Sequence, residues 1–321
     1  MTRTAHRHTW WDQILEHMPA APAASPVLTA GEQTRLSWAR RIETPEAAPP
    51  IYAPSLAAIT ARAGCFPYCA LTPSYAGFLT RTTEKLICAY ADEIAITERA
   101  GGELRSTVYP LESIDLMEVG CILLSSWFKI VGKDDRGRRA VTTIKFNTVT
   151  DYLLTPLLDR WRSAQGGRGA ASLAQEQAKF DYLCREQYKF MNIARRVILP
   201  GDCVLASIMQ PELRTPVAEL FGHVYSRSRA SAHIVVLTDR ELIVAAEEKP
   251  SLRRDTSRYG SVATYMPRRK IEGTSVNGAA NRCVTLTVRL PEGEQVQIEF
   301  AAAQRDKVTR LTALLECPVE A

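Results

Sequence analysis

The sequence predicts an α+β protein, mainly antiparallel β: two small open barrels, each closed by a C-terminal helix, joined by a long linker helix. Three observations carry this. Short apolar runs bounded by tight-turn residues cluster in two separate regions. Each region ends in an amphipathic helical segment. Between them, Leu173, Phe180, Leu183, Cys184, Met191, Ala194 and Val197 are spaced for one helix of roughly 25 residues, on the order of 38 Å.

In chain order, residues 1–50 read as a peripheral arm, with six prolines and many alanines. Within it, Trp10, Trp11, Ile14, Leu15 and Met18 share one face of a short helix, suited to docking on a folded domain or to recruiting a partner. Residues 51–164 form the first barrel. Lys85–Tyr90 and Glu93–Thr97 flank Ala91-Asp92 as a hairpin, and Val108–Pro110 begins another strand. The run 121–131 reads as one long strand and Val141–Phe146 as the last. A helix follows, carrying Leu153, Leu154, Leu157, Leu158 and Trp161 on one face. Asn147 and Thr150 suit its N-cap, and Pro156 kinks it if it begins early. Residues 165–199 hold a flexible break, Gln165–Gly169, and the linker helix, stopped by Pro200-Gly201.

Residues 200–321 repeat the order of the first barrel. His233–Thr238 and Glu241–Ala245 flank Asp239-Arg240, and Ala263–Pro267, Val284–Val288, Val296–Phe300 and a helix over 302–316 follow. Pro110 and Ile114 match Pro267 and Ile271 in spacing, and Ile144-Lys145-Phe146 matches Ile298-Glu299-Phe300. An ordered series of this kind points to a tandem duplication.

The stretches Ala232–Val244 and Arg258–Ile271, with the closing Ile298-Glu299-Phe300 and its helix, resemble bacterial pleckstrin-homology-like (PH/GRAM-type) domains. The resemblance covers about residues 200–317 and, less closely, about 65–163. It implies a tandem, non-enzymatic binding or scaffolding module for lipid headgroups or protein segments, and fold alone does not choose between them.

The chain has 321 residues, more than one hydrophobic core comfortably serves, which agrees with two domains. Apolar residues make up 46% and charged residues 23%, values that exclude collagen-like, disordered and membrane-spanning classes. No apolar stretch of signal-peptide length follows the basic N-terminus. The eight scattered cysteines therefore read as reduced thiols in a cytoplasmic protein, peripheral to the membrane if it binds lipid.

The net charge of +5 is mild, yet residues 249–270 hold seven basic residues against one acid. Arg227, Arg229, Arg253, Arg254, Arg258, Arg268, Arg269 and Lys270 are the candidate ligand-binding set, for a phosphate-bearing headgroup. Arginine suits this because its planar fork meets phosphate oxygens in pairs. In lipid-binding members of the resembled family, basic residues on the first strands and the loop between them hold phosphate, and Arg227-Ser228-Arg229 is similar to part of that pattern. A solvated basic loop is the plainer account.

An alternative is nucleic-acid binding through the same region, with Arg258, Tyr259 and Tyr265 stacking on bases. Trp127 and Phe128 point to opposite strand faces, so one of them is exposed or packs between domains. Cys65 and Cys69 are the only closely spaced cysteines, and all five histidines lie far from them in sequence, so no metal or other cofactor is expected. His223, His233, Ser226 and Ser228 have reactive groups but sit in no catalytic motif, leaving an enzyme as the least favoured reading.

Overall fold

The computed structural model describes residues 38–76, 81–100, 102–166, 169–220, 223–247, 260–278 and 283–317. The expected helix at Trp10–Met18 lies outside them.

In the first half, β1 (Arg40–Ile42) leads into α1 (Ala53–Ala63). Pro54 lies in its first turn and Gly64, at φ 71°, ends it. Then come β2 (Tyr68–Thr72), the short β3 (Tyr75–Ala76) and β4 (Arg81–Thr82), β5 (Lys85–Tyr90), β6 (Glu93–Ala100) and β7 (Glu103–Pro110). β8 (Ile114–Ile122), β9 (Ser125–Lys133) and β10 (Arg139–Asn147) follow. A 3-10 turn at Thr148–Leu153 and α2 (Thr155–Ser163) close the half. The Asn147 side chain caps that turn by accepting from the Val149 N–H at 3.0 Å. Pro156 falls in the first turn of α2, where no amide donor is needed, so it leaves the helix unkinked.

The second half runs α3 (Leu173–Ala178), α4 (Tyr188–Val197), β11 (Val204–Gln210), β12 (Leu213–Leu220), β13 (His223–Ala230), β14 (His233–Thr238) and β15 (Glu241–Glu247). It continues through β16 (Gly260–Pro267), β17 (Gly273–Asn277), β18 (Val284–Arg289) and β19 (Gln295–Phe300) to α5 (Arg305–Glu316). The paired hairpins β5–β6 and β14–β15 turn where the sequence predicts. Each corner after them is also alike: Pro110 and Pro267 enter a 3-10 turn at φ −59° and −60°. In both, the next residue's N–H bonds back to the preceding hairpin turn, Leu111 to the Asp92 carbonyl and Arg268 to that of Arg240.

The class is α+β with mainly antiparallel sheets, and every described strand pair is antiparallel. The main sheets are β1-β2-β5-β6-β7, β10-β9-β8-β16-β15-β14-β11 and β17-β18-β19; none closes on itself among the described residues. The seven-stranded sheet crosses the two halves because β8 pairs with β16, from Gly260 opposite Ile122 to Tyr265 opposite Met117. One hydrophobic cluster follows that seam, joining Ile87 and Phe128 to Phe180, Phe190, Ile234 and Tyr265. β5 and β14 are buried at all six positions, which explains the unbroken apolar runs Leu86–Tyr90 and Ile234–Leu237 within them.

Two expectations are corrected. The run 121–131 is not one strand: it reverses at Leu123-Leu124 between β8 and β9, with Leu123 at φ 52°. The reversal carries no glycine, asparagine or proline, so the apolar run hides it. The long linker helix is likewise absent from the described residues. α3 and α4 fold back on each other, with Gln177 Nε2 donating to the Arg195 carbonyl at 3.0 Å, whereas one straight helix would hold those residues about 27 Å apart. Long-range bonds fix the fold-back: Glu176 accepts from the Val204 N–H at 2.6 Å, and Lys179 donates to the Val204 carbonyl at 2.9 Å. Most of that apolar face then enters the shared core, burying Phe180, Leu183 and Phe190, each worth about 1.5–3 kcal/mol, while Cys184 is exposed.

The seam is also ionic. Arg162 of α2 is 3% exposed and binds the Glu241 carboxylate of β15 through both Nε, at 2.9 Å, and a terminal nitrogen. It donates to the Val197 carbonyl at 2.6 Å, stacks over Tyr265 at 4.5 Å and lies 3.8 Å from Asp202, itself paired with Arg240. Burial works against the charge of Arg162, but Glu241 outweighs it and holds the guanidinium pKa above its ordinary value. Arg162→Ala leaves the buried Glu241 carboxyl, whose pKa burial already raises, without its partner and is expected to cost about 3–5 kcal/mol, read by urea unfolding. The double change Arg162→Met with Glu241→Leu should cost less than Arg162→Ala alone.

Candidate functional site

The β8–β16 seam also forms the floor of a cavity roofed by α2 and α4, with a volume of about 440 Å³. Leu158, Ile193 and Val262 give it apolar walls, while Asp159, Arg196 and Ser261 supply polar groups. Burial pushes the Asp159 carboxyl up, with Arg162 opposing the shift. Tyr265 forms part of the floor, its phenol pushed up to about 12 by burial. The volume suits a small ligand with an apolar body. Cys121, also in the lining, lies 3.6 Å from the Thr148 hydroxyl, and no histidine is among the lining residues.

The basic residues singled out in the sequence have separate situations. Arg268 donates to the Leu314 carbonyl at 2.7 Å and to that of Cys317 at 3.1 Å, satisfying the open C-terminal end of α5. Arg269 Nε donates to Gln165 Oε1 at 3.2 Å. Lys270 lies 3.5 Å from the buried Asp115, whose carboxyl burial raises and Lys270 lowers, with burial prevailing. Three consecutive cations thus turn to three different partners. Arg229 pairs with Glu299 of β19 through two bonds of 2.9 Å. Arg227 is placed on β13 opposite Thr215. Arg253, Arg254 and Arg258 lie outside the described residues, as does Tyr259. Tyr265, a candidate for base stacking, is instead covered by Arg162.

The other candidates resolve as packing. Phe128 is buried; Trp127 lies on the opposite face, directly across from Gly120, and donates to Glu118 at 2.8 Å. Any side chain at Gly120 would strike the Trp127 ring. His233 is buried edge-on against Phe300 with ring centroids 5.3 Å apart, and its Nδ1 lies 2.9 Å from the Ser231 carbonyl. Cys65 is exposed and Cys69 buried, so the two do not face a common site. No group of three or more potential metal ligands occurs among the described residues.

Sequence reasoning missed an apolar corner. Leu123 and Leu124 at the β8–β9 tip are 59% and 65% exposed. The Thr148 N–H donates to the Leu124 carbonyl at 3.0 Å, which brings the following 3-10 turn alongside. On that segment Val149 and Tyr152 are exposed too, on either side of a kink at Thr150, whose φ of −111° is not helical. Leu123 and Leu124 read as strand interior in the sequence, so no local signal reveals the exposure.

These features define an α+β protein with a seam cavity and an apolar corner. No family model matches the chain, and no curated protein matches it.

Burial holds the His233 pKa below its ordinary value of 6.5, so the folded protein favours neutral imidazole. The unfolded chain takes up a proton first as pH falls. Stability should therefore drop below about pH 6.5, and His233→Gln should flatten that part of the profile, as read by urea midpoints across pH.

Proposed function

We propose that this protein is a non-enzymatic binding or scaffolding module built on two pleckstrin-homology-like units, and that it engages a protein partner through the apolar corner. The observation that carries this reading is the cluster of four exposed apolar side chains, Leu123, Leu124, Val149 and Tyr152, on two adjoining elements. Contiguous exposed apolar surface of this kind marks interaction sites. The two-unit reading rests on the repeated order of strands and the matched corners at Pro110 and Pro267. In each half a β-hairpin, a proline corner and three further strands lead into a helix.

A protein partner is favoured over an anionic membrane surface because Arg229 and Lys270 already face carboxylates, Glu299 and Asp115, and Arg268 and Arg269 already spend N–H donors on the Leu314 and Cys317 carbonyls and on Gln165. A charge paired with a carboxylate attracts phosphate less strongly than a free one, and a donor already bonded has less to offer it. No helix among the described residues is long and apolar enough to cross a membrane.

Leu123→Ser with Leu124→Ser changes exposed side chains and should leave unfolding within about 0.5 kcal/mol of wild type. In-cell crosslinking from position 152 should capture a protein that this double variant loses by tenfold or more, at low and high salt alike. Equal capture by the variant defeats the reading. The lipid reading predicts instead that Arg227, Arg229, Arg253 and Arg254 changed together to alanine reduce co-sedimentation with anionic vesicles at low salt, where such attraction is strongest. Unchanged co-sedimentation removes it.

A further inference from the structure

The sulfur atoms of Cys69 on β2 and Cys88 on β5 lie 3.2 Å apart. The two residues are directly opposed in register, and both are 0% exposed. Opposed residues of an antiparallel pair have Cα atoms about 4.5 or about 5.5 Å apart. Both spacings fall inside the range of about 4.4–6.8 Å that a disulfide bridges. Closing the bond therefore asks for side-chain rotation and little backbone movement. We propose that Cys69 and Cys88 are a peroxide-oxidisable dithiol that closes into a cross-strand disulfide within the folded protein.

The two sulfurs share one hydrogen bond, in which either thiol can donate. That bond, with Arg41 nearby, favours the charged form at Cys69, while the bond and burial push the Cys88 thiol up. The thiol that gives up its proton is the one that attacks, since the thiolate is the nucleophilic form. Its sulfur displaces hydroxide from hydrogen peroxide: an S–O bond forms, the O–O bond breaks, and the departing hydroxide takes a proton to become water. The other thiol then loses its proton and attacks the resulting sulfenic sulfur, forming the S–S bond and releasing the second water. Two thiols are oxidised and one peroxide is reduced to two waters.

Tyr52, Leu56, Ile59, Leu86 and Tyr90 pack around the pair in one buried cluster. A small neutral oxidant penetrates such packing better than a bulky disulfide reagent. Exposed Cys65, Cys184 and Cys317 give an internal comparison, because bulky reagents reach them first.

The test uses the reduced full-length chain, freed of reductant, treated with stoichiometric hydrogen peroxide, alkylated under denaturing conditions and mapped by mass spectrometry. The expected product is a peptide pair linked through Cys69 and Cys88, reversed by dithiothreitol, with a raised Tm. Cys69→Ser and Cys88→Ser should each stop the link, and at least one of them should leave its remaining thiol as a sulfenic acid trapped by dimedone. If those variants do not fold, the triple change Cys65→Ser, Cys184→Ser and Cys317→Ser should still yield the Cys69–Cys88 link. The proposal fails if both thiols remain alkylatable while the exposed cysteines oxidise, or if Cys69 links to any other cysteine.

Discussion

The arrangement of this molecule depends on one cation held out of water. Arg162 is the point where α2 from the first half meets β15 and the end of α4 from the second, through Glu241 and the Val197 carbonyl. A buried ion pair contributes little net stability relative to a well-packed apolar substitute, because desolvation offsets most of the attraction. Its effect is to penalise alternatives. Any arrangement that parts α2 from β15 strands Glu241 in the core, so the ion pair selects the geometry in which β8 lies beside β16 and the helices roof the seam. Tyr265 beneath the guanidinium reinforces this, since it lies on β16 itself.

Local chemistry was the legible part of the fold. The turns at Ala91-Asp92 and Asp239-Arg240 and the cap at Asn147 sit where sequence rules place them, whereas Pro110, read as part of the start of a strand, ends β7 and enters a corner. Features fixed by distant partners were not legible. Most of the periodic apolar residues from 173 to 197 are buried, Cys184 excepted, but that periodicity cannot show that Glu176 and Lys179 bond to Val204 and bend the chain back. Nor does a run of apolar residues show that Leu123 and Leu124 form an exposed tip.

The candidate surfaces follow the same rule. Counting charges finds a basic run, but a cation's availability depends on partners far along the chain: Glu299 for Arg229, Gln165 for Arg269, Asp115 for Lys270. The reactive sulfur contact was hidden for a similar reason. Spacing draws attention to Cys65 and Cys69, while strand register selects Cys69 and Cys88, separated by 19 positions.

The shared sheet also sets the unit in which this molecule can be built or lost. A chain cut between its halves would present β8 and β16 as open edges, nine and eight residues long. Open edges of that length recruit other strands and lead toward aggregation. Melting of one half likewise strips the other of a neighbouring strand, which couples the stability of the two. The two halves are thus mutual chaperones, each covering the edge the other cannot leave bare.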